Sequence, residues 1–149
     1  MNTRFDVSAL AAPAYQGLYQ VSDILAASSL GAGFKHLIDL RVSQMNTCHF
    51  CQNLHWEWGL RDGVTTARLG AVAHWRQSAE FTPAEKAAFA WAEALTEQAE
   101  DRVPALLTDL RKHWDDQAIA ELTMVVAVIN AWNRVGISAY DVGQKASHG

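Results

Sequence analysis

The sequence lacks several features that would assign it to common classes of protein. Only two of its 149 residues are cysteine, which excludes a small fold stabilised by several disulfides. The 12 basic and 16 acidic residues are scattered and give a net charge of −4, without the basic stripe that nucleic acid or an anionic membrane requires. We therefore expect neither nucleic acid nor a membrane among its partners.

No segment has the pattern of a targeting or membrane-spanning element. The N-terminus has no cationic segment leading into an apolar run, and the longest apolar stretch, residues 124–129, is far shorter than the roughly 20 residues that cross a bilayer. There are no repeats and no linkers. Half of the residues are hydrophobic, enough for one core. The sequence predicts a single domain, residues 1–149, of a soluble cytoplasmic protein.

Signals for the ends of helices recur along the chain, whereas alternating β patterns are missing. Thr82-Pro83-Ala84-Glu85 predicts a capping box with proline at the first helical position, and we place Glu93 on the polar face of that helix. The last predicted helix is apolar on more than one side, as expected of a core helix or a subunit contact. The fold class is all-α, with helices predicted at 14–28, 33–45, 48–59, 64–75, 82–98, 104–114 and 116–139.

The two cysteines form one CxxC motif, Cys48 and Cys51, and His55 follows four residues later. Thr47 is the predicted N-cap of a helix that has Cys48 in its first turn, where free N–H groups and the helix dipole stabilise a thiolate. At about 100° per residue the two cysteines and His55 share one helix face. This spacing suits a dithiol that is oxidised and reduced, with His55 as the base.

Two questions stay open at this level. The dipole favours Cys48 as the attacking thiolate, whereas the i, i+4 relation pairs His55 with Cys51. The same residues could instead bind zinc, with His36 or His49 as a fourth ligand. No second CxxC motif supports a dedicated metal site, so we expect no metal and no other cofactor.

The run from Leu40 to His55 closely resembles the signature of the AhpD-like alkylhydroperoxidases, part of the carboxymuconolactone decarboxylase superfamily. Residues 81–93 and 120–134 extend the resemblance over most of the chain. It implies an all-α helical bundle that assembles as a homo-oligomer, a trimer or a hexamer. It also implies a thiol-dependent antioxidant alkyl hydroperoxide reductase or CxxC disulfide reductase, in which Cys51 attacks a hydroperoxide, Cys48 resolves, His55 accepts the proton and an external dithiol restores the thiols. Decarboxylation is not expected, since the CxxC motif marks the redox branch.

One position departs from the family pattern. His36 stands where the family has a glutamate, twelve residues before the first cysteine. A neutral imidazole can pass a proton, but it supplies no negative charge to a protonated His55. Asp39, one helical turn later, could supply that charge if its side chain turns inward, whereas Glu57 should point elsewhere. The alternative hypothesis is therefore a metal-binding or non-catalytic oligomeric member of the family.

Overall fold

The structure, a computed structural model, describes residues 2–141 and is all-α in this range apart from one short ribbon. Strands β1 (Asn2–Thr3) and β2 (Tyr140–Asp141) form this antiparallel ribbon, in which Thr3 pairs with Tyr140. No sequence pattern indicated it. Two 3-10 turns, Val72–His74 and Glu100–Arg102, join helices. The helices and strands are β1 Asn2–Thr3, α1 Val7–Leu10, α2 Ala12–Ala26, α3 Ala32–Met45, α4 His49–Arg61, α5 Thr66–Ala71, α6 Pro83–Thr96, α7 Val103–Leu110, α8 Asp116–Ala139 and β2 Tyr140–Asp141.

Helices α3, α6 and α8 form the centre of the core, and α4 lies against both α3 and α8. The ring of Phe89 on α6 is fully buried and contacts three other aromatic rings, those of Phe34, Trp75 and Phe81. Full burial of one such side chain stabilises the fold by roughly 1.5–3 kcal/mol. The core therefore fixes the relative positions of the helices that carry the candidate site.

The start of α6 confirms the predicted capping box. The Thr82 hydroxyl accepts the N–H of Glu85, and the Glu85 carboxylate accepts the N–H of Thr82 at 2.9 Å. Glu93, however, does not lie on a polar face. It is buried, and its carboxylate accepts hydrogen bonds from Trp75 at 2.8 Å and from Arg41 at 2.7 Å, so its charge is compensated inside the protein.

Helix α8 begins at Asp116, as predicted, and Asp115 caps it by accepting the N–H of Ala118 at 2.8 Å. Among the described residues it is the one helix long and apolar enough to cross a membrane by length and composition. It also packs against α2, α3, α4 and α6, and the central helix of a protein core has the same length and composition. Core packing therefore accounts for the buried part of its apolar surface, whereas Met124 and Ile137 are exposed.

The junction between α3 and α4 orients the cysteine motif. The N–H of Cys48 bonds the carbonyl of Ser43 at 3.0 Å, and the N–H of Thr47 bonds that of Gln44 at 3.1 Å, which is a Schellman motif. Thr47 occupies its left-handed position, with φ of 55°. A β-branched residue is strained there, and this strain lies directly before the first cysteine.

Candidate active site

Cys48 and Cys51 are joined by a disulfide at the start of α4. Both are buried, at 1% and 3% exposure. The N-cap of α4 is Cys48 itself, whose sulfur accepts the N–H of Cys51 at 3.3 Å. The prediction that Thr47 is the N-cap was therefore wrong, because Thr47 instead completes the end of α3. The cysteine pair keeps the position at a helix N-terminus that stabilises a thiolate.

Gly136 of α8 lies directly against the disulfide. A Cβ atom placed at this glycine would be 2.8 Å from the sulfur of Cys51 and 2.9 Å from that of Cys48. Any larger residue would therefore push the two sulfurs or the helix aside. Our sequence interpretation missed Gly136, although a glycine inside a long helix is a signal of close packing or function.

A cavity of about 280 Å³ opens beside Cys51. Cys51 and His55 both line it, so one of the two sulfur-bearing residues and the candidate base share one cavity, whereas Cys48 is absent from its walls. Its polar lining includes Lys35 and Asp39. The rest is largely apolar and strongly aromatic, with Tyr15, Tyr19, Phe50, Trp58, Trp132 and Tyr140 among the lining residues.

His36, Asp39 and His55 meet next to this cavity, and all three are buried. The Nδ1 atoms of His36 and His55 are 3.2 Å apart. The Oδ2 atom of Asp39 is 3.4 Å from Nδ1 of His55 and 3.9 Å from Nδ1 of His36. Asp39 thus turns inward as the sequence analysis required, while Glu57 is exposed.

Two further charged residues complete the cluster, and the sequence interpretation had named neither of them. Lys35 contacts Oδ2 of Asp39 at 2.7 Å through its ammonium group. Asp62, the residue that ends α4, places Oδ2 3.0 Å from Nε2 of His36. Asp62 is 26 residues from His36 in the sequence, so only the pairing of α3 with α4 brings the two together.

Burial keeps both imidazoles neutral at pH 7. It lowers the pKa of His55 to about 4; the charge of Asp39 opposes this shift, and the charge of Lys35 adds to it. Burial likewise lowers the pKa of His36, against the opposing charges of Asp39 and Asp62. The Asp62 carboxyl is partly shielded from water, but the hydrogen bond from Arg61 and the nearby His36 hold its pKa below the usual value.

These charge states assign the tautomers of the two rings. The ionised Asp62 carboxylate can only accept, so Nε2 of His36 donates to it and Nδ1 of His36 carries no proton. His55 must then donate from its own Nδ1 to Nδ1 of His36. Nε2 of His55 is left with a free lone pair, the form that a base at the cavity needs.

Polar residues of α8 tie the neighbouring part of α3 in place. Asn46 donates to Asn130 at 2.9 Å and to Asn133 at 2.8 Å, and Asn133 donates to Ser43 at 2.9 Å. This network accounts for the buried amide of Asn133, and it holds the end of α3 against α8. Asn130 and Asn133 have the structural role expected for polar groups on an apolar helix.

Several known proteins are similar to this chain in sequence or in structure. Residues 12–94 match the model of the carboxymuconolactone decarboxylase family. The chain is 35% identical over 112 residues to the uncharacterised protein YdfG of Bacillus subtilis (strain 168), covering 74% of this chain and 76% of YdfG. It is also 35% identical over 115 residues to the uncharacterised protein YnjA of Escherichia coli (strain K12), covering 77% of this chain and 63% of YnjA.

A crystal structure from Agrobacterium tumefaciens has the same fold. It superposes with a TM-score of 0.85 at 31% sequence identity, over 91% of this chain and 94% of that one. That protein is of unknown function, with a suggested role as the antioxidant defence protein AhpD. The family match and the shared fold lead to one conclusion: the chain belongs to the carboxymuconolactone decarboxylase family and has the AhpD-like all-α fold.

Proposed function

We propose that the protein is a thiol-dependent peroxidase that reduces organic hydroperoxides by cycling Cys51 and Cys48 between dithiol and disulfide. One observation carries this proposal: Cys51, which is bonded to Cys48, lines a largely apolar cavity that His55 also lines. A structural disulfide that closes so short a loop would add little stability. A redox role therefore accounts for the cysteine pair better than a structural role does. The suggested antioxidant role of the structural neighbour supports the same class of activity.

The reaction balances with two thiols and one hydroperoxide. The Cys51 thiolate attacks the O–O bond, which breaks to give a Cys51 sulfenic acid and, after protonation, an alcohol. The Cys48 thiol then attacks the sulfenic sulfur, forming the disulfide and releasing water. An external dithiol returns two electrons through thiol–disulfide exchange. Cys51 is the attacking residue in this scheme because it lines the cavity and Cys48 does not.

Protons would reach solvent through a relay of three residues. Nε2 of His55 accepts the proton of the Cys51 thiol while its Nδ1 proton passes to His36, whose Nε2 proton passes to Asp62. A stepwise route would place a cation on His55, whose pKa of about 4 makes this costly at pH 7. The relay replaces that buried cation by a transiently protonated Asp62, which returns its proton to water because its pKa lies below the ordinary value. Asp62 supplies the carboxylate that the family pattern places at position 36, and its side chain is 24% exposed to solvent.

The cavity favours bulky apolar hydroperoxides over hydrogen peroxide. An alkyl or aryl group buried against its aromatic walls gains about 25 cal/mol for each Å² of apolar surface removed from water. Hydrogen peroxide has no apolar group and gains nothing from these walls. We therefore expect a lower KM for an aryl hydroperoxide than for hydrogen peroxide.

The test follows thiols in the metal-free, reduced protein after addition of cumene hydroperoxide. Two thiols should disappear for each hydroperoxide reduced, and a Cys51→Ser variant should lose the reaction. In a Cys48→Ser variant the sulfenic acid should persist and react with a sulfenic-acid probe. The proposal is overturned if the wild-type protein loses no thiols, or if Cys51→Ser loses thiol as fast as the wild type does.

A further inference from the structure

We propose that His36, Asp39 and His55 form a binding site for a zinc-class divalent cation, which switches off the base at the cysteine pair. The donor set, two imidazoles and one carboxylate, is common in zinc sites with an open coordination position. It differs from the cysteine-based zinc site considered from the sequence, because the two sulfurs are bonded to each other. The inhibitory part of this proposal rests on the proposed peroxidase function.

The spacing of the three donor atoms fits a metal ion. Their separations are 3.2, 3.4 and 3.9 Å. In a tetrahedral zinc site with bonds of about 2.0–2.1 Å, the ligand atoms lie roughly 3.3 Å apart. The point equidistant from the three atoms is about 2.0 Å from each, so a cation needs only small side-chain shifts to reach bonding distance.

Asp62 prepares one ligand for the cation. It accepts the Nε2 proton of His36 at 3.0 Å, which leaves the Nδ1 lone pair of His36 aimed at His55. Metal-binding histidines commonly donate their other ring N–H to a carboxylate in this way, because the contact fixes the tautomer and makes the ligand more basic. The cavity lined by Asp39 and His55 provides the route of entry.

Lys35 is the competitor for this site. Its ammonium group lies 2.7 Å from Oδ2 of Asp39, the oxygen that the cation would bind. Lys35 also lines the cavity, so its flexible side chain has space to swing away. Replacing Lys35 by methionine removes a positive charge from the site while keeping an unbranched side chain, and it should strengthen cation binding.

Cation binding and proton acceptance exclude each other. A cation on Nδ1 of His55 displaces the proton that this atom donates to His36, and the neutral ring then carries its proton on Nε2. Nε2 is the atom that would take the proton of the Cys51 thiol. A bound zinc ion therefore removes the base and breaks the contact between the two rings.

Binding is tested on the disulfide form, in which neither cysteine has a free thiol to bind metal. Zinc chloride is titrated by calorimetry, and cobalt chloride is followed by its visible absorption. We expect one equivalent per chain, at least tenfold weaker binding in His36→Gln and Asp39→Asn, and at least tenfold tighter binding in Lys35→Met. His113→Gln, a change at an exposed histidine outside the cluster, is the matched control and should bind as the wild type does.

Absence of stoichiometric binding would overturn the site. So would binding that is unchanged in all three cluster variants, because the metal would then be held elsewhere. Since this titration needs no thiol and no peroxide, its outcome is independent of the peroxidase test. Zinc should also slow the thiol oxidation of the reduced protein; binding without such slowing would overturn the inhibitory part alone.

Discussion

Replacing Gly136 by alanine tests the packing of α8 against the cysteine pair. The new Cβ would lie 2.8 Å from the sulfur of Cys51 and 2.9 Å from that of Cys48. Non-bonded heavy atoms prefer about 3.5–4.0 Å, so the helix or the disulfide must move by roughly 1 Å. Overpacking of this kind costs about 1–3 kcal/mol, against a gain of about 0.5–1 kcal/mol from replacing a helical glycine by alanine.

Gly17→Ala supplies the matched control. Gly17 also lies inside a helix, α2, but a Cβ there would meet no atom within 4 Å. This variant should therefore show the propensity gain alone, about 0.5–1 kcal/mol. The two variants should differ by about 1–3 kcal/mol in the free energy of unfolding, measured by urea denaturation of the disulfide form.

A double-mutant cycle assigns that difference to the sulfurs. In a background with both Cys48 and Cys51 replaced by alanine, the added methyl group of Gly136→Ala no longer meets a sulfur, and its cost should fall by about 1 kcal/mol or more. Stabilisation by Gly136→Ala equal to that by Gly17→Ala would refute the close contact between α8 and the disulfide. An equal cost of Gly136→Ala with and without the two sulfurs would refute it as well.

Three other predictions concern the surroundings of the cysteine pair. Thr47→Gly should raise the free energy of unfolding by about 1 kcal/mol in urea denaturation, because Thr47 adopts a positive φ that glycine tolerates. A Thr47→Ala variant as stable as Thr47→Gly would contradict this explanation. The pKa of His55 in the folded protein, about 4, lies below its ordinary value of 6.5, so between these two pH values the folded protein binds fewer protons than the unfolded chain. The free energy of unfolding should therefore fall by up to about 3 kcal/mol as the pH drops through this range. His55→Gln should flatten the dependence of the free energy of unfolding on pH, and an unchanged dependence would show that His55 is not its cause. Asp62→Asn keeps the hydrogen bond from His36 but cannot take its proton. The kcat for hydroperoxide reduction should therefore fall about tenfold, and the pH dependence of kcat should shift. Glu57→Gln is the control and should leave both unchanged.

Local signals in the sequence predicted most of the helical framework. The capping box at Thr82 and the start of α8 at Asp116 depend on residues three or four apart, and the structure confirms both. The end of α3 shows the limit of such signals. Thr47 has the chemistry of an N-cap, but the backbone bonds to Ser43 and Gln44 draw it into a left-handed helix end. The N-cap role is the one that suits a threonine, and the packing of α3 against α4 imposes the left-handed role in spite of its strain.

The cysteine motif, His55 and the departure at His36 could be recognised from the sequence alone, because their spacing on predicted helices carries the information. Contacts between helices could not: Asp62 reaches His36 from the far end of α4, and Gly136 reaches the cysteine pair from the other half of the chain. Lys35, by contrast, is an i, i+4 partner of Asp39 on α3, a local pair that our sequence interpretation overlooked. Side chains distant in sequence meet only when helices pack, and burial then decides their charge states. The sequence by itself determined the helical class and the reactive pair, while the tertiary structure decided that Asp62 reaches His36, that Gly136 lies against the sulfurs and that burial keeps both imidazoles neutral.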